Sequence, residues 1–230
     1  MDDADNRLVR QAARALDRAG LVNAYGHCSK RLDSGSFLVS ASKPLGLIGP
    51  SDRGTEVPIE GPLPAGVLGE VRAHQQIYKR RADVGGICRF LSPKLLSLGA
   101  MGRSLKARHG LGAFFAPEPP LWTDVSLLRS DEKAAGMADL LGNSRAIILR
   151  ANGAITVGET LQQAVVLAWF LEDAARVELD VLNAHDERTA PILSETEAAS
   201  RASFEGRVTE RMWEYLTGSP PNDRDTHQTF

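Results

Sequence analysis

An arginine closes the apolar run in GGICRFLSPK, residues 85–94. Arg89 carries a permanent charge, and a guanidinium holds a carboxylate through a bidentate fork. Upstream, in EVRAHQQIYKRRADV, Glu70 and His74 are four residues apart, so on a helix they share one face. A carboxylate and an imidazole are the groups that most often move protons. Two short stretches add anion donors: GHCSK brings His27, Ser29 and backbone N–H groups, and SASK brings Ser42 and Lys43. Together they suit an anion as small as a carboxylate.

The elements that must hold these groups follow from periodicity and caps. DNRLVRQAARALDRAGL puts Leu8, Ala12, Ala15, Leu16 and Ala19 on one helical face, with Gly20 as its stop. GSFLVSAS reads as a strand entered by a turn at Ser34–Gly35, and residues 44–64, rich in Pro and Gly, as a surface loop. From Glu70 to Tyr78 the pattern is helical, with Val71, His74, Ile77 and Tyr78 near one face. VGGICRFL is strand-like, and a helix begins at SPKLL with Ser92 as N-cap and Pro93 first. Ser130 caps another helix in SDEKAAGMADLLG, with acids in its first turn. RAIILRANGAITVG makes two strands joined at Ala151–Asn152–Gly153. The longest helix follows, capped by Thr160, then one amphipathic helix around residues 195–216 and a polar tail, residues 218–230.

The bulk figures set bounds. The chain has 230 residues with net charge −2, enough for one sizeable core in a single domain, residues 1–217. The balanced charge argues against nucleic acid or a polybasic membrane surface as partner, and no apolar run is long enough to span a bilayer. MDDADN at the start does not read as a signal peptide, and Cys28 and Cys88 have no CxxC spacing, so a reduced, cytoplasmic protein is expected. Strand alternation turns Cys88 away from Arg89 into the core. Cys28 is either a reactive thiol or a buried one, and His109 reads as surface. Phe114, Phe115 and Trp122 either wall an aromatic pocket or pack the core, and Trp213 and Tyr215 either close the site or form the last helix's apolar face.

The order of these pieces resembles the class II aldolase/adducin family. AYGHCSKRL resembles its Gly-(Asn/His)-x-Ser loop, EVRAHQQIYKRRADV its Glu-x-x-x-His helix followed by Arg-Pro-Asp-Val, ICRFLSP its His-x-His-Ser-Pro strand end, and ILRANGAITVG its Asn-His-Gly turn. The likeness runs from about residue 5 to 185, and GLVNAYGHCSKRL is most similar to members that decarboxylate aromatic acids. It implies an α/β fold, a three-layer αβα sandwich around a mostly antiparallel sheet, and a homotetramer with sites between subunits.

The resemblance also marks departures. The family's three metal-binding histidines fall on Arg89, Leu91 and Asn152. Zinc-like ions need imidazole or anionic ligands, and a guanidinium repels them, so neither metal nor other cofactor is expected. The two phosphate-capping serines of the sugar-phosphate aldolases fall on Leu68 and Gly69, which disfavours a phosphorylated substrate. Glu70 aligns with the family's acid/base residue.

The expected activity is therefore that of a metal-independent lyase, decarboxylating or otherwise cleaving a C–C or C–O bond of a small carboxylate. Glu70, Arg89 and His74 would be catalytic, with His27, Ser29, Ser42, Lys43 and Asn152 binding the substrate. The alternatives are an adducin-like scaffold, in which Arg89 only pairs with Glu70, and a metal-free isomerase or dehydratase. For Glu70 the bland reading is a helix-terminal acid, and for His74 a satisfied core histidine.

Overall fold

The computed structural model describes residues 3–32, 35–184 and 189–218. The expected turn at Ser34 and nearly all of the expected polar tail lie outside the described residues. Helix α1 (Asp3–Arg18) opens the chain and buries Val9, Ala12, Ala13 and Leu16, while Leu8 is only half-buried. Three strands follow: β1 (His27–Arg31), β2 (Ser36–Val39) and β3 (Thr55–Pro58). A single 3-10 turn (Gly69–Val71) leads into α2 (Arg72–Arg80), and then come β4 (Gly86–Phe90) and α3 (Pro93–Ala100). Strand β5 (Leu121–Trp122), α4 (Asp131–Leu141), β6 (Ala146–Leu149), β7 (Ala154–Gly158) and α5 (Leu161–Ala184) complete the core. Two short helices close the described chain, α6 (Glu195–Arg201) and α7 (Val208–Thr217).

The strands form one sheet in the order β3-β2-β1-β4-β7-β6-β5, antiparallel throughout except where β5 runs parallel to β6. Helices α1, α3, α5 and α7 cover one face, and α2 with α4 covers the other. This is the three-layer architecture expected from the sequence. Alternation on β4 sends Cys88 and Phe90 to the α5 side, while Ile87 packs toward α2. Arg89 therefore emerges on the α2 side, at the end of a strand whose other residues are all buried. No described helix is long and apolar enough to cross a membrane.

Three expectations are corrected. Residues 27–31 are not a loop but the interior strand β1, hydrogen-bonded between β2 and β4. The 44–64 segment contains a 3-10 turn and the edge strand β3, whose Pro58 sits at its end, where a missing N–H is tolerated. The last helix is broken in two by Gly206 and Arg207, both at positive φ.

Other expectations hold in detail. Ser130 Oγ accepts from Lys133 N, capping α4, and Thr160 Oγ1 accepts from Gln163 N at the start of α5. Ser92 occupies the N-cap position of α3, but its hydroxyl donates to Glu172 of α5 at 2.6 Å. The same carboxylate accepts from Lys94 N and Leu95 N, so Glu172 caps α3 from a neighbouring helix. Burial raises the Glu172 pKa against the lowering effect of these hydrogen bonds.

Candidate active site

A cleft of about 420 Å³ opens where β1 begins, β4 ends and the β6–β7 turn crosses. Its walls include His27, Ser42, Lys43, Glu70, Arg89 and Asn152, six of the eight expected site residues. Leu68 and Leu91 line it too, so apolar side chains stand where phosphate and metal donors would be.

Two glycines let the chain approach closely enough to build this corner. Gly26 (φ +147°) enters β1, and a Cβ there would lie 2.8 Å from Val22 Cγ1 and 3.1 Å from the Arg89 carbonyl. Gly153 (φ +76°) packs on the end of β4, where a Cβ would come within 2.0 Å of the Phe90 carbonyl. Ala151 shares the left-handed conformation at φ 60°. The Asn-Gly turn is thereby pressed against Arg89.

Arg89 is 6% exposed, yet its guanidinium has one hydrogen-bond acceptor among the described residues, Asn152 Oδ1 at 2.6 Å. No described carboxylate makes an ion pair with it. Burial lowers its pKa and the charge of nearby Glu70 raises it, but a guanidinium stays charged throughout. Glu70 faces the cleft from the turn ahead of α2, and its ion-pair partner is Arg129, at 3.7 Å. The cleft thus holds a buried cation with unused donors and, apart from it, a carboxylate.

His27 stands opposite Arg89 in the β1–β4 register and lines the same wall. Its Nδ1 lies 2.9 Å from His74 Nε2, and His74 Nδ1 lies 2.6 Å from Ser29 Oγ. Ser29 Oγ in turn contacts Tyr78 Oη at 2.9 Å. Burial, first of all, pushes the pKa of His27 well below the usual imidazole value, with His74 and Arg89 adding to it. The same burial and Arg89 bring His74 down to about 3, so both rings are neutral at pH 7.

Two expected site residues do not reach the cleft. His74 and Ser29 are fully buried beneath His27, because Ser29 shares the face of His27 but lies two residues further along β1, under α2. They support His27 instead of touching a ligand. Ser42 donates to the Gly66 carbonyl, and Lys43 pairs with Asp52 at 2.6 Å, so both reach the cleft with a partner in hand. Arg129, Leu127 and Tyr25 also line the cleft and were not expected. Arg129 immediately precedes the Ser130 cap, a signal that an N-cap reading alone does not convert into a site residue.

The remaining candidates sort plainly. Phe114 and Phe115 are core residues, and Trp122 packs partly buried against the α2–α4 core; none lines the cleft. Cys28 and Cys88 are buried free thiols facing each other in the β1–β4 register. Burial pushes Cys28 up to about 12, which rules out a ready thiolate. His109 is partly buried, 3.9 Å from Asp173. Trp213 packs against the core, and Tyr215 is exposed.

The family metal does not fit this donor set. At the three positions that would ligate it stand a guanidinium, a leucine and an amide whose oxygen already accepts from that guanidinium. No group of three or more His, Cys, Asp or Glu side chains disposed to hold an ion occurs among the described residues.

Residues 7–179 match the family described as Class II Aldolase and Adducin N-terminal domain. A 3,4-dihydroxyphthalate decarboxylase from Arthrobacter keyseri is 26% identical over 201 residues, 76% of this chain and 78% of that protein. L-fuculose-1-phosphate aldolase from Thermus thermophilus superposes with a TM-score of 0.71 at 28% identity, over 82% of this chain and 98% of that one. L-fuculose 1-phosphate aldolase from Glaciozyma antarctica gives 0.77 at 22% identity, over 93% and 88%. With its sheet order, helical layers and cleft at the end of β4, the chain belongs to the class II aldolase/adducin family.

Proposed function

We propose that the protein is a lyase that decarboxylates a small, unphosphorylated aromatic acid without a divalent metal. The observation that supports this most is Arg89, a buried cation with no carboxylate partner among the described residues, at the wall of a mostly apolar cleft. A charge in that setting is stabilised by a ligand anion, and the bidentate fork favours a carboxylate. Leu68 and Leu91 favour an apolar ring and disfavour a phosphate. The similarity to dihydroxyphthalate decarboxylases supports the same substrate class.

The roles follow from charge. A fixed cation on the departing carboxylate would favour the ground state, so Arg89 holds an acid group that stays. A dihydroxyphthalate carries two carboxylates, one to hold and one to lose. The Glu70 carboxylate takes a proton from solvent and delivers it to the ring carbon that bears the departing group; the C–C bond then breaks, its electron pair restores the ring, and CO2 leaves.

Release of CO2 from 3,4-dihydroxyphthalate by chelator-treated protein tests this reading. Turnover should persist after metal removal, fall by about 10²–10⁴-fold in Glu70→Gln, and lose substrate affinity in Arg89→Ala. Turnover abolished by chelation and restored by added metal would overturn the metal-free assignment. Binding that ignores Arg89→Ala would overturn the anion site.

A further inference from the structure

The hydrogen bonds beneath His27 fix which of its nitrogens carries the proton. Tyr78 Oη reaches the Ser29 carbonyl oxygen at 3.1 Å and Ser29 Oγ at 2.9 Å. A carbonyl only accepts, so the single phenolic proton goes to Ser29 O. The 2.9 Å contact then requires the Ser29 hydroxyl to donate to Tyr78 Oη. With its proton spent, Ser29 Oγ accepts at 2.6 Å from His74 Nδ1–H. A neutral imidazole has one proton, so His74 Nε2 accepts at 2.9 Å from His27 Nδ1–H. His27 Nε2 is left as a bare lone pair.

That nitrogen is buried and has no partner among the described residues, although His27 is one of the residues that line the cleft. Arg89 stands directly across the strand pair but donates to Asn152. A buried acceptor without a donor is costly, so the site is built for a group that supplies one. A cation is repelled by Arg89, and an anion gains nothing from a lone pair. A neutral O–H on the ring that carries the clamped carboxylate satisfies both neighbours.

We infer that His27 Nε2 accepts a hydrogen bond from a ring hydroxyl of the substrate, making the protein selective for hydroxylated aromatic acids, with Tyr78 as the residue that positions the relay. This rests on the assignment of Arg89 to a carboxylate. It also serves the chemistry, since a hydroxyl whose hydrogen is accepted pushes electron density into the ring that Glu70 protonates.

Calorimetric titration with benzoate, 2-hydroxybenzoate, 3-hydroxybenzoate and the two methyl ethers tests it. The better hydroxybenzoate should bind about tenfold tighter than benzoate, its methyl ether should lose that gain, and in His27→Ala the ratio should fall to about one. Arg89→Ala should weaken all of them. Arg89-dependent benzoate binding with no hydroxyl gain, or a gain that survives His27→Ala, overturns the inference and leaves the clamp standing. Absent benzoate binding, or binding indifferent to Arg89→Ala, overturns the clamp and the hydroxyl assignment together.

Imidazole 15N spectra of the unmutated chain supply a readout independent of variant folding. His27 should show a protonated Nδ1 and a bare Nε2, and the opposite tautomer would overturn the inference. In Tyr78→Phe the anchor is gone, so a mixture of tautomers is expected and the hydroxyl gain should shrink to about threefold or less. A Tyr78→Phe spectrum identical to the parent's would contradict the relay.

Discussion

Two buried arginines, Arg108 and Arg89, sit in the same molecule under opposite conditions. Arg108 donates to both oxygens of Glu178, at 2.5 and 3.2 Å, and to the carbonyls of Ala190 and Pro191. Its fork is filled by the protein, and both side chains of the pair are under 5% exposed. Arg89 is as deeply placed but has one amide oxygen, and the nearby Glu70 is paired to Arg129 instead. The first arginine ties a loop to α5. The second keeps donors free at a cost in stability, and such local violations cluster where a protein meets a ligand.

The contrast can be broken most severely at Arg108. Glu178→Gln removes the charge that compensates a buried guanidinium and should lower the unfolding free energy by about 3–5 kcal/mol in a denaturant titration. Glu70→Gln, by comparison, should leave the denaturation midpoint nearly unchanged. A large loss there would mean that Glu70 is structural.

Next in size, Arg89→Ala should weaken benzoate binding by about 2–5 kcal/mol, and Arg89→Lys should recover only part, because a point charge cannot reproduce the fork.

Acid should expose the same asymmetry more gently. His27 and His74 are held neutral, with folded pKa values below the unfolded value near 6.5. The unfolded chain then binds more protons, so stability is fully present above about pH 6.5 and is lost as pH falls toward the folded values. Each ring contributes a slope of at most about 1.4 kcal/mol per pH unit. Arg89 acts on both rings, which also face each other, and His74 is flanked by Ser29 and the ring of Phe37. Denaturation midpoints between about pH 6.5 and 4.5 check this, above the range where most carboxylates titrate. Stability that stays flat across that window would show the rings to be solvated.

The smallest expected effect is at the start of α3, which Glu172 of α5 caps. Glu172→Gln keeps one acceptor for the α3 amides but loses the charge, and should cost about 1 kcal/mol by thermal unfolding.

Much of this could be read from the sequence because it depends on local chemistry. The Asn-Gly turn, the Ser130 cap and the buried face of α2 each follow from residue type and spacing. Strand β1 escaped because HCSKR has no β-branched residue and no Tyr, Phe or Trp, and its inward His27 Nδ1 and Ser29 Oγ find their partner in His74 of α2, over 40 residues further along. For the same reason His74 and Ser29 read as site residues when they are the layer beneath one. Arg129 and Tyr25 enter the cleft only through tertiary packing, which no local pattern encodes.

The central claim is that Arg89 lowers stability in order to hold a ligand anion. Replacing it with methionine, which fills similar space without charge, and measuring unfolding free energy beside benzoate affinity tests this most directly. The account predicts stability equal to the parent's or higher by about 1–2 kcal/mol, with carboxylate binding lost. A stability loss comparable to that of Glu178→Gln, with benzoate affinity intact, would contradict it.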